Sequence, residues 1–315
     1  MTLPVEAAPS LSSSTEDASK SPLLVTKNHW RDLIPLTKPT ISLLVVVTVV
    51  PALFAANGEA PSLKVAIMAL IGTYLASASA SVFNHLLDAD IDEMMHRTKG
   101  RPMPARKVSQ SSALVFGTVL GAISLAILCA WTTPLAAVIA LLANAFYVVV
   151  YTWYLKRRTD QNIVIGGAAG AVGPLIGWAA VSGRVEWPAW VLFLVIFLWT
   201  PPHFWALALK YQKDYAAAGI PMLPVTRGEE TTRRHIFLYT LTLFPPIISL
   251  YGFDRFGLIY LLPSLGATMW FAWLAWKLWR AHSNTNAMAV FHYSCLYLFI
   301  IFGSLTFDIM VSQLL

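Results

Sequence analysis

The chain has 315 residues, 57% of them hydrophobic and only 12% Asp, Glu, Lys or Arg, with a formal net charge of +6. An average soluble domain is about a quarter charged, so the soluble globular classes are excluded and an all-α polytopic membrane protein is expected. Cys129 and Cys295 lie in separate apolar runs with no thiol or imidazole at ligand spacing. Neither a disulfide framework nor a thiolate metal site can be read from them.

Residues 1–30 are rich in Ser, Thr, Pro and Ala and carry Glu6, Glu16 and Asp17. They read as a disordered tail, with a regulatory or partner-binding segment as the alternative. A secretory signal needs a basic start and an apolar run of at least about seven residues, and a mitochondrial transit peptide is Arg-rich and poor in acids. The stretch meets neither description, which points to a bacterial plasma membrane rather than an organelle.

Apolar stretches follow near residues 36–56, 65–87, 110–130, 133–155, 162–182, 188–209, 235–252, 256–276 and 289–312. At about 20 residues per crossing, nine transmembrane helices are expected. Nineteen of the 22 Lys and Arg residues then fall on one side, with only Lys64, Arg184 and Arg255 on the other. The positive-inside rule puts the basic loops and the N-terminal tail in the cytoplasm, and the C-terminus outside. The two longest loops, after the second and sixth spans, are both cytoplasmic, and long connections are where function concentrates.

At the end of the second span, Asn84, Asp88 and Asp92 recur at i, i+4 and i+8, so on a continuing helix they share one face. Two carboxylates on one face repel, and a helix C-terminus disfavours negative charge further. A bound cation resolves the conflict. An all-oxygen donor set suits Mg²⁺, which commonly bridges one or two carboxylates to substrate phosphates. Taken alone, such an acid pair is more often a solvated loop. The bases that follow, Arg97, Lys99 and Arg101, change the balance: acids for a metal beside cations for phosphate oxygens describe a diphosphate site. Positive-inside bias accounts for some of those bases without any ligand.

Asn84-x-x-x-Asp88-x-x-x-Asp92 followed by Arg97-Thr98-x-x-Arg101-Pro102 resembles the first signature of the UbiA superfamily of intramembrane prenyltransferases. The segments Tyr151–Gly167, Trp199–Ala208 and Asp214–Val225 resemble its heme-farnesylating branch. The likeness runs from about Leu36, with Lys38 and Pro39, to the last span. It implies a nine-helix bundle with a chamber open to the cytoplasmic side, over residues 31–315. It further implies Mg²⁺ on Asn84, Asp88, Asp92 and Asp214, and catalytic cations at Arg97, Arg101 and Lys156. Lys38, Tyr151, Arg157, His203 and Asp214 are implied as substrate contacts. The implied reaction is farnesyl transfer from farnesyl diphosphate to a vinyl group of heme B, giving heme O. Heme B is then a substrate, membrane lipid the surroundings, and heme A synthase or a terminal-oxidase assembly the downstream partners; nothing calls for nucleic acid.

One departure matters. Many UbiA-type enzymes carry a second acid four residues after the first on the later loop, whereas here Asp214 is followed by Ala218. The heme branch shares that gap, which leaves the second metal position open. Lys156 and Arg157 match diphosphate-side cations and equally suit heme propionates. Gly166, Gly170, Gly173 and Gly177 form a smooth packing stripe. His203 follows Pro201 and Pro202 inside an apolar run, roughly 9 Å from the cytoplasmic end, and an intramembrane ionisable group is a functional candidate by default. It would meet porphyrin iron, a propionate, or the proton moved at the reacting vinyl; a satisfied packing histidine is the plain alternative. The rival functions are an aromatic-acceptor prenyltransferase and a non-enzymatic heme carrier or exporter using His203 and His292.

Overall fold

The computed structural model describes residues 30–56 and 61–314, and the regular structure in them is helical throughout. The expected N-terminal tail lies, apart from Trp30, outside the described residues. A short turn over Trp30–Thr37 leads at a 47° bend into α1, Pro39–Ala55. The bend is made at Lys38, which adopts the left-handed conformation at φ 46° just ahead of Pro39. A proline at the first helical position has its φ already set for the helix and lacks the N–H that would be left unbonded there.

The second crossing, α2, is Leu63–Leu87 and passes through Asp88 into α3, Ala89–Met94. Next come α4, Gln110–Trp131, and the α5 crossing, Pro134–Leu155, whose last ten residues from Phe146 are wound as a π-helix. The fifth stretch is two helices, α6 (Asn162–Gly170) and α7 (Gly173–Ser182), and the sixth is α8, Trp187–Lys210. A short α9, Gln212–Ala217, opens the long loop. The seventh stretch is split into α10, Gly228–Leu241, and α11, Phe244–Tyr251. The chain ends with α12, Leu258–Arg280, and α13, Ala287–Leu314.

Seven helices are long and apolar enough to cross a membrane among the described residues, and eight if the bent pair at the start is one span. The nine expected from the sequence are therefore not matched one for one. The missing crossing falls at 235–252, where Thr242 and Leu243 separate α10 from α11 and Pro245 and Pro246 follow. Proline supplies no N–H to the preceding turn, so a hydropathy run can continue where the helix does not.

Hydropathy and burial separate the outer from the inner helices. α4 is the most apolar crossing, with a mean hydropathy of 2.4, yet only 22% of its apolar window is buried, whereas the α6–α7 window at 1.7 is 67% buried. An apolar helix that buries little within its own protein has lipid as its solvent. The inner helices approach through small residues: Gly173 and Gly177 of α7 meet Val45, Thr48 and Val49 of α1, and Gly166 of α6 meets the ring of Tyr151. Three glycines of the stripe are packing contacts, as their spacing suggested, while Gly170 meets nothing within 4 Å and faces the cavity, and the break at Ala171 and Val172 divides the stripe between two helices. A cavity of about 100 Å³ remains between α1, α2, α5 and α6, walled by Ala76, Ala80, Ala140, Ala143, Tyr147 and Gly170.

Gly177→Ala would set its new methyl 2.7 Å from the Val49 carbonyl oxygen, while Gly170→Ala meets nothing within 4 Å. The first substitution is expected to lower stability by about 1–3 kcal/mol through overpacking and the second to leave it unchanged or slightly raised, as read by unfolding in detergent.

Candidate active site

The site begins where α2 hands over to α3. Asp88 N–H donates to the Asn84 carbonyl at 2.9 Å and Asp92 N–H to the Asp88 carbonyl at 2.8 Å, so the four-residue bonding pattern continues through the break. Asn84, Asp88 and Asp92 therefore come to one side as the i, i+4, i+8 spacing requires. All three are at most 3% exposed. Two carboxylates buried this closely need compensation, and it arrives from three other segments.

Lys156, at the end of α5, donates from Nζ to Asp88 Oδ2 at 2.5 Å. Arg101, from the loop after α3, donates from one guanidinium nitrogen to Asp92 Oδ2 at 2.7 Å and Oδ1 at 2.9 Å. Lys38, held at the bend before α1, donates to Asn84 Oδ1 at 2.5 Å. The Asn84 amide then donates to Asp88 Oδ2 at 2.8 Å and to Thr152 Oγ at 3.1 Å. Thr98 donates to the Asp92 carbonyl at 2.9 Å, which ties the basic loop to the acids.

The π-helix explains how α5 takes part. Thr152 Oγ donates to the Tyr147 carbonyl and Lys156 N–H to the Tyr151 carbonyl, each five residues back. This winding brings Tyr147, Tyr151, Thr152 and Lys156 toward the acids together, with the two tyrosine rings 5.3 Å apart. π segments are rare and recur at functional sites. Ile91, Met95, Ile163, Ala208, Tyr215, Ile220 and Met222 form an apolar group that includes the neighbour of Asp92, with Tyr151 packed against it.

The remaining sequence candidates fall elsewhere. Arg157 forms a two-pronged pair with Asp90 at 2.7 and 2.8 Å and reaches the Leu87 carbonyl, on the more exposed flank. Its hydrogen bonds hold Asp90 below the usual carboxylate range, and Asp90 raises Arg157 in return. Arg97 lies over the Tyr211 ring at 5.4 Å. Asp214 is on α9, half-buried, next to the buried Tyr215, whose phenol burial pushes up while Arg97 and Arg101 act against the shift. His203 is on α8 against α13, in a separate setting.

Sequence reasoning missed Thr152, Tyr147 and His85. A π-helix has no periodicity signature distinct from an apolar α-helix, so the alignment of Tyr147 and Thr152 with Lys156 was not readable. His85 is 2% exposed and its Nδ1 is 3.8 Å from Asp92 Oδ2, too far to bond.

The donor set suits a hard divalent ion. Asp88 Oδ1 is buried with no hydrogen-bond partner, an expensive state for a carboxylate oxygen unless a cation takes it. The available donors are oxygens throughout. No group of three or more His, Cys, Asp or Glu is gathered as a metal cage among the described residues; the site offers the Asp88 and Asp92 pair, whose charges Lys156 and Arg101 balance.

Comparison with known proteins fits this arrangement. A family model described as the UbiA prenyltransferase family matches residues 45–303. A relative from Gloeobacter violaceus named protoheme IX farnesyltransferase is 45% identical over 278 residues, covering 88% of this chain and 91% of its own. One of the same name from Symbiobacterium thermophilum is 46% identical over 281 residues, covering 89% and 94%. Among solved structures, a digeranylgeranylglyceryl phosphate synthase superposes with a TM-score of 0.75 at 16% identity, over 90% of this chain and 99% of that one. A UbiA homolog from Archaeoglobus fulgidus bound to GPP and Mg²⁺ gives 0.67 at 17%, over 87% and 99%. At those identities the structural likeness speaks for the fold.

Lys156→Met should destabilise the protein by about 3–5 kcal/mol, because it strands the Asp88 charge. Adding Asp88→Asn should recover most of the loss, a coupling that a double-mutant cycle in detergent reads directly. Arg157→Met, at a partly exposed pair, should cost at most about 1 kcal/mol.

Proposed function

The chain belongs to the UbiA prenyltransferase family, and from that premise we propose that it transfers the farnesyl group of farnesyl diphosphate to a vinyl group of heme B, giving heme O. The observation that carries the acceptor and donor is 45% identity, sustained over 278 residues, to a relative named for that activity. The buried acids and their cations supply a site with the right chemistry for the diphosphate end.

In this reading Asp88 and Asp92, with Asn84 and further out Asp214, hold Mg²⁺. Mg²⁺ held by these residues would supply positive charge to balance the diphosphate. Lys156, Arg101 and Arg97 turn from their present partners to the diphosphate oxygens, where they stabilise the growing negative charge. Lys38, Tyr151 and Arg157 complete the substrate contacts, and His203 meets the porphyrin. The allylic C–O bond breaks with its electron pair leaving on diphosphate, the vinyl carbon bonds to the farnesyl carbon, and water adds to the cation left on the ring-side vinyl carbon, losing one proton to solvent to give the hydroxyl of the product. Between those events the allylic cation must be kept from bulk water, a task for the cavity between α1, α2, α5 and α6 once the helices part.

The cavity of about 100 Å³ is smaller than the roughly 300–1,000 Å³ usual for ligand sites, so the helices around it part to admit substrate. We place the protein in a bacterial plasma membrane with nine crossings, the split α10–α11 stretch included. The N-terminus and the chamber mouth face the cytoplasm and the C-terminus faces outside, as the distribution of Lys and Arg favours. The 1–30 tail precedes a single catalytic unit over 31–315. Heme A synthase or a terminal-oxidase assembly takes the product.

The test is mass spectrometry of heme after incubating the purified protein with heme B, farnesyl diphosphate and Mg²⁺. A hydroxyethylfarnesyl adduct is expected, absent with EDTA and absent in a folded Asp88→Asn protein. Unmodified heme beside a prenylated small aromatic acceptor would overturn the acceptor; activity that survives Asp88→Asn would overturn the site.

A further inference from the structure

His85 is the buried side chain of the acid cluster that the transfer chemistry leaves without a task. It sits one residue past Asn84 on α2 and is 2% exposed. Asp88 and Asp92 follow it at i+3 and i+7, on the bonding pattern that runs through the break between α2 and α3, so the imidazole and the acids share a face. Its Nδ1 is enclosed without a hydrogen-bond partner, and it faces Asp92 Oδ2 at 3.8 Å.

The carboxylate decides which nitrogen carries the proton. A lone pair on Nδ1 pointed at a carboxylate oxygen would be repelled, and no other group bonds that nitrogen, so the ring keeps its hydrogen on Nδ1. The result is a donor aimed at an acceptor, at 3.8 Å where about 2.9 Å would make the bond. A buried donor left short of its acceptor is costly.

Arg101 accounts for the gap. One of its guanidinium nitrogens holds both oxygens of Asp92, at 2.7 and 2.9 Å, and a carboxylate pinned by both oxygens to one side does not lean toward the imidazole. The Arg101 side chain is 28% exposed and that of Asp92 only 3%. The cation can therefore leave toward an incoming diphosphate, while the acid stays where it is. Once Arg101 has gone, one Asp92 oxygen is available to the metal and the other needs a donor. Carboxylates that bind a metal are themselves hydrogen-bonded, and losing such a partner typically costs about 10–100-fold in metal affinity or activity. The His85 Nδ1–H is the donor that already faces that oxygen.

We propose that His85 is a positioning residue that takes over Asp92 from Arg101. Without diphosphate, Arg101 holds the carboxylate. With diphosphate bound, the His85 Nδ1–H holds it, which frees Arg101 for the leaving group and keeps Asp92 directed at the metal. The inference rests on the diphosphate reading of this site. The imidazole acts neither as a metal ligand nor as an acid or base, and no proton changes hands.

Two binding measurements on the full chain in lipid nanodiscs test the handover. Mn²⁺ binding, read by EPR, reports on the acids without diphosphate. Farnesyl S-thiolodiphosphate, a donor analogue that resists cleavage, is then titrated by calorimetry at saturating Mn²⁺. His85→Leu keeps the bulk of the ring and removes the donor, and His85→Asn puts an amide N–H back. His85→Leu is expected to leave Mn²⁺ affinity unchanged and to weaken the analogue about tenfold, the lower end for a partner lost behind a ligand; His85→Asn should restore most of it. If His85→Leu does not fold, His85→Ala carries the same pair of measurements. Both affinities falling together would show that His85 only supports the fold, and an analogue that binds His85→Leu as tightly as wild type would show that no handover occurs. Nitrogen coupling in the spin-echo spectrum of bound Mn²⁺, lost in His85→Leu, would make the imidazole a ligand of the ion. Each of these three results overturns the inference and leaves the diphosphate reading standing. A folded wild type that binds neither probe removes both.

Discussion

Everything at the cytoplasmic end of this bundle is arranged around two carboxylates, Asp88 and Asp92, buried at the end of a helix where negative charge is least welcome. An isolated buried charge would shift the protein away from this fold. Two distant segments and two local ones converge to prevent that. The bend before α1 contributes Lys38, the loop after α3 contributes Arg101, the end of α5 contributes Lys156 and Thr152, and α2 itself contributes Asn84. Buried ion pairs are weak evidence for stability, since desolvation offsets much of their attraction. In the function proposed for this chain, they are the cost of keeping a metal and diphosphate site ready.

The same pairing gives the resting site its character. Cations that would meet a diphosphate rest on the carboxylates that would hold its metal, so one set of groups serves both states. One oxygen, Asp88 Oδ1, is left without a partner, and it marks the place where the balance is incomplete without a ligand. Asp88 and Asp92 are at most 2% exposed, which strengthens each of these interactions relative to the surface.

Much of this was legible in the residues. The spacing of Asn84, Asp88 and Asp92 survives the break at Asp88 because the backbone bonding simply continues through it. Most of the long apolar runs became single helices, even across Pro51, Pro201, Pro202 and Pro263. The stretch at 235–252 instead breaks at Thr242 and Leu243, just ahead of Pro245 and Pro246, where hydropathy, which measures transfer to lipid, is blind to a missing backbone N–H. Arg157 was grouped with Lys156 because they are neighbours in sequence, yet one reaches Asp88 inside and the other Asp90 at the flank. His203 stood out as an ionisable group in an apolar run, but its restraint by Ser294 depends on a second helix 91 residues away.

The π-wound end of α5 carries a consequence for how such a chain can vary. Lys156 faces Asp88 only because each turn between Phe146 and Leu155 holds an extra residue compared with an α-helix. Chain length within that crossing is thus as constrained as the charged residues themselves. Loss of any one residue there would rewind the segment toward α geometry, rotate Lys156 off the acid and leave the charge network broken with every charged side chain still present.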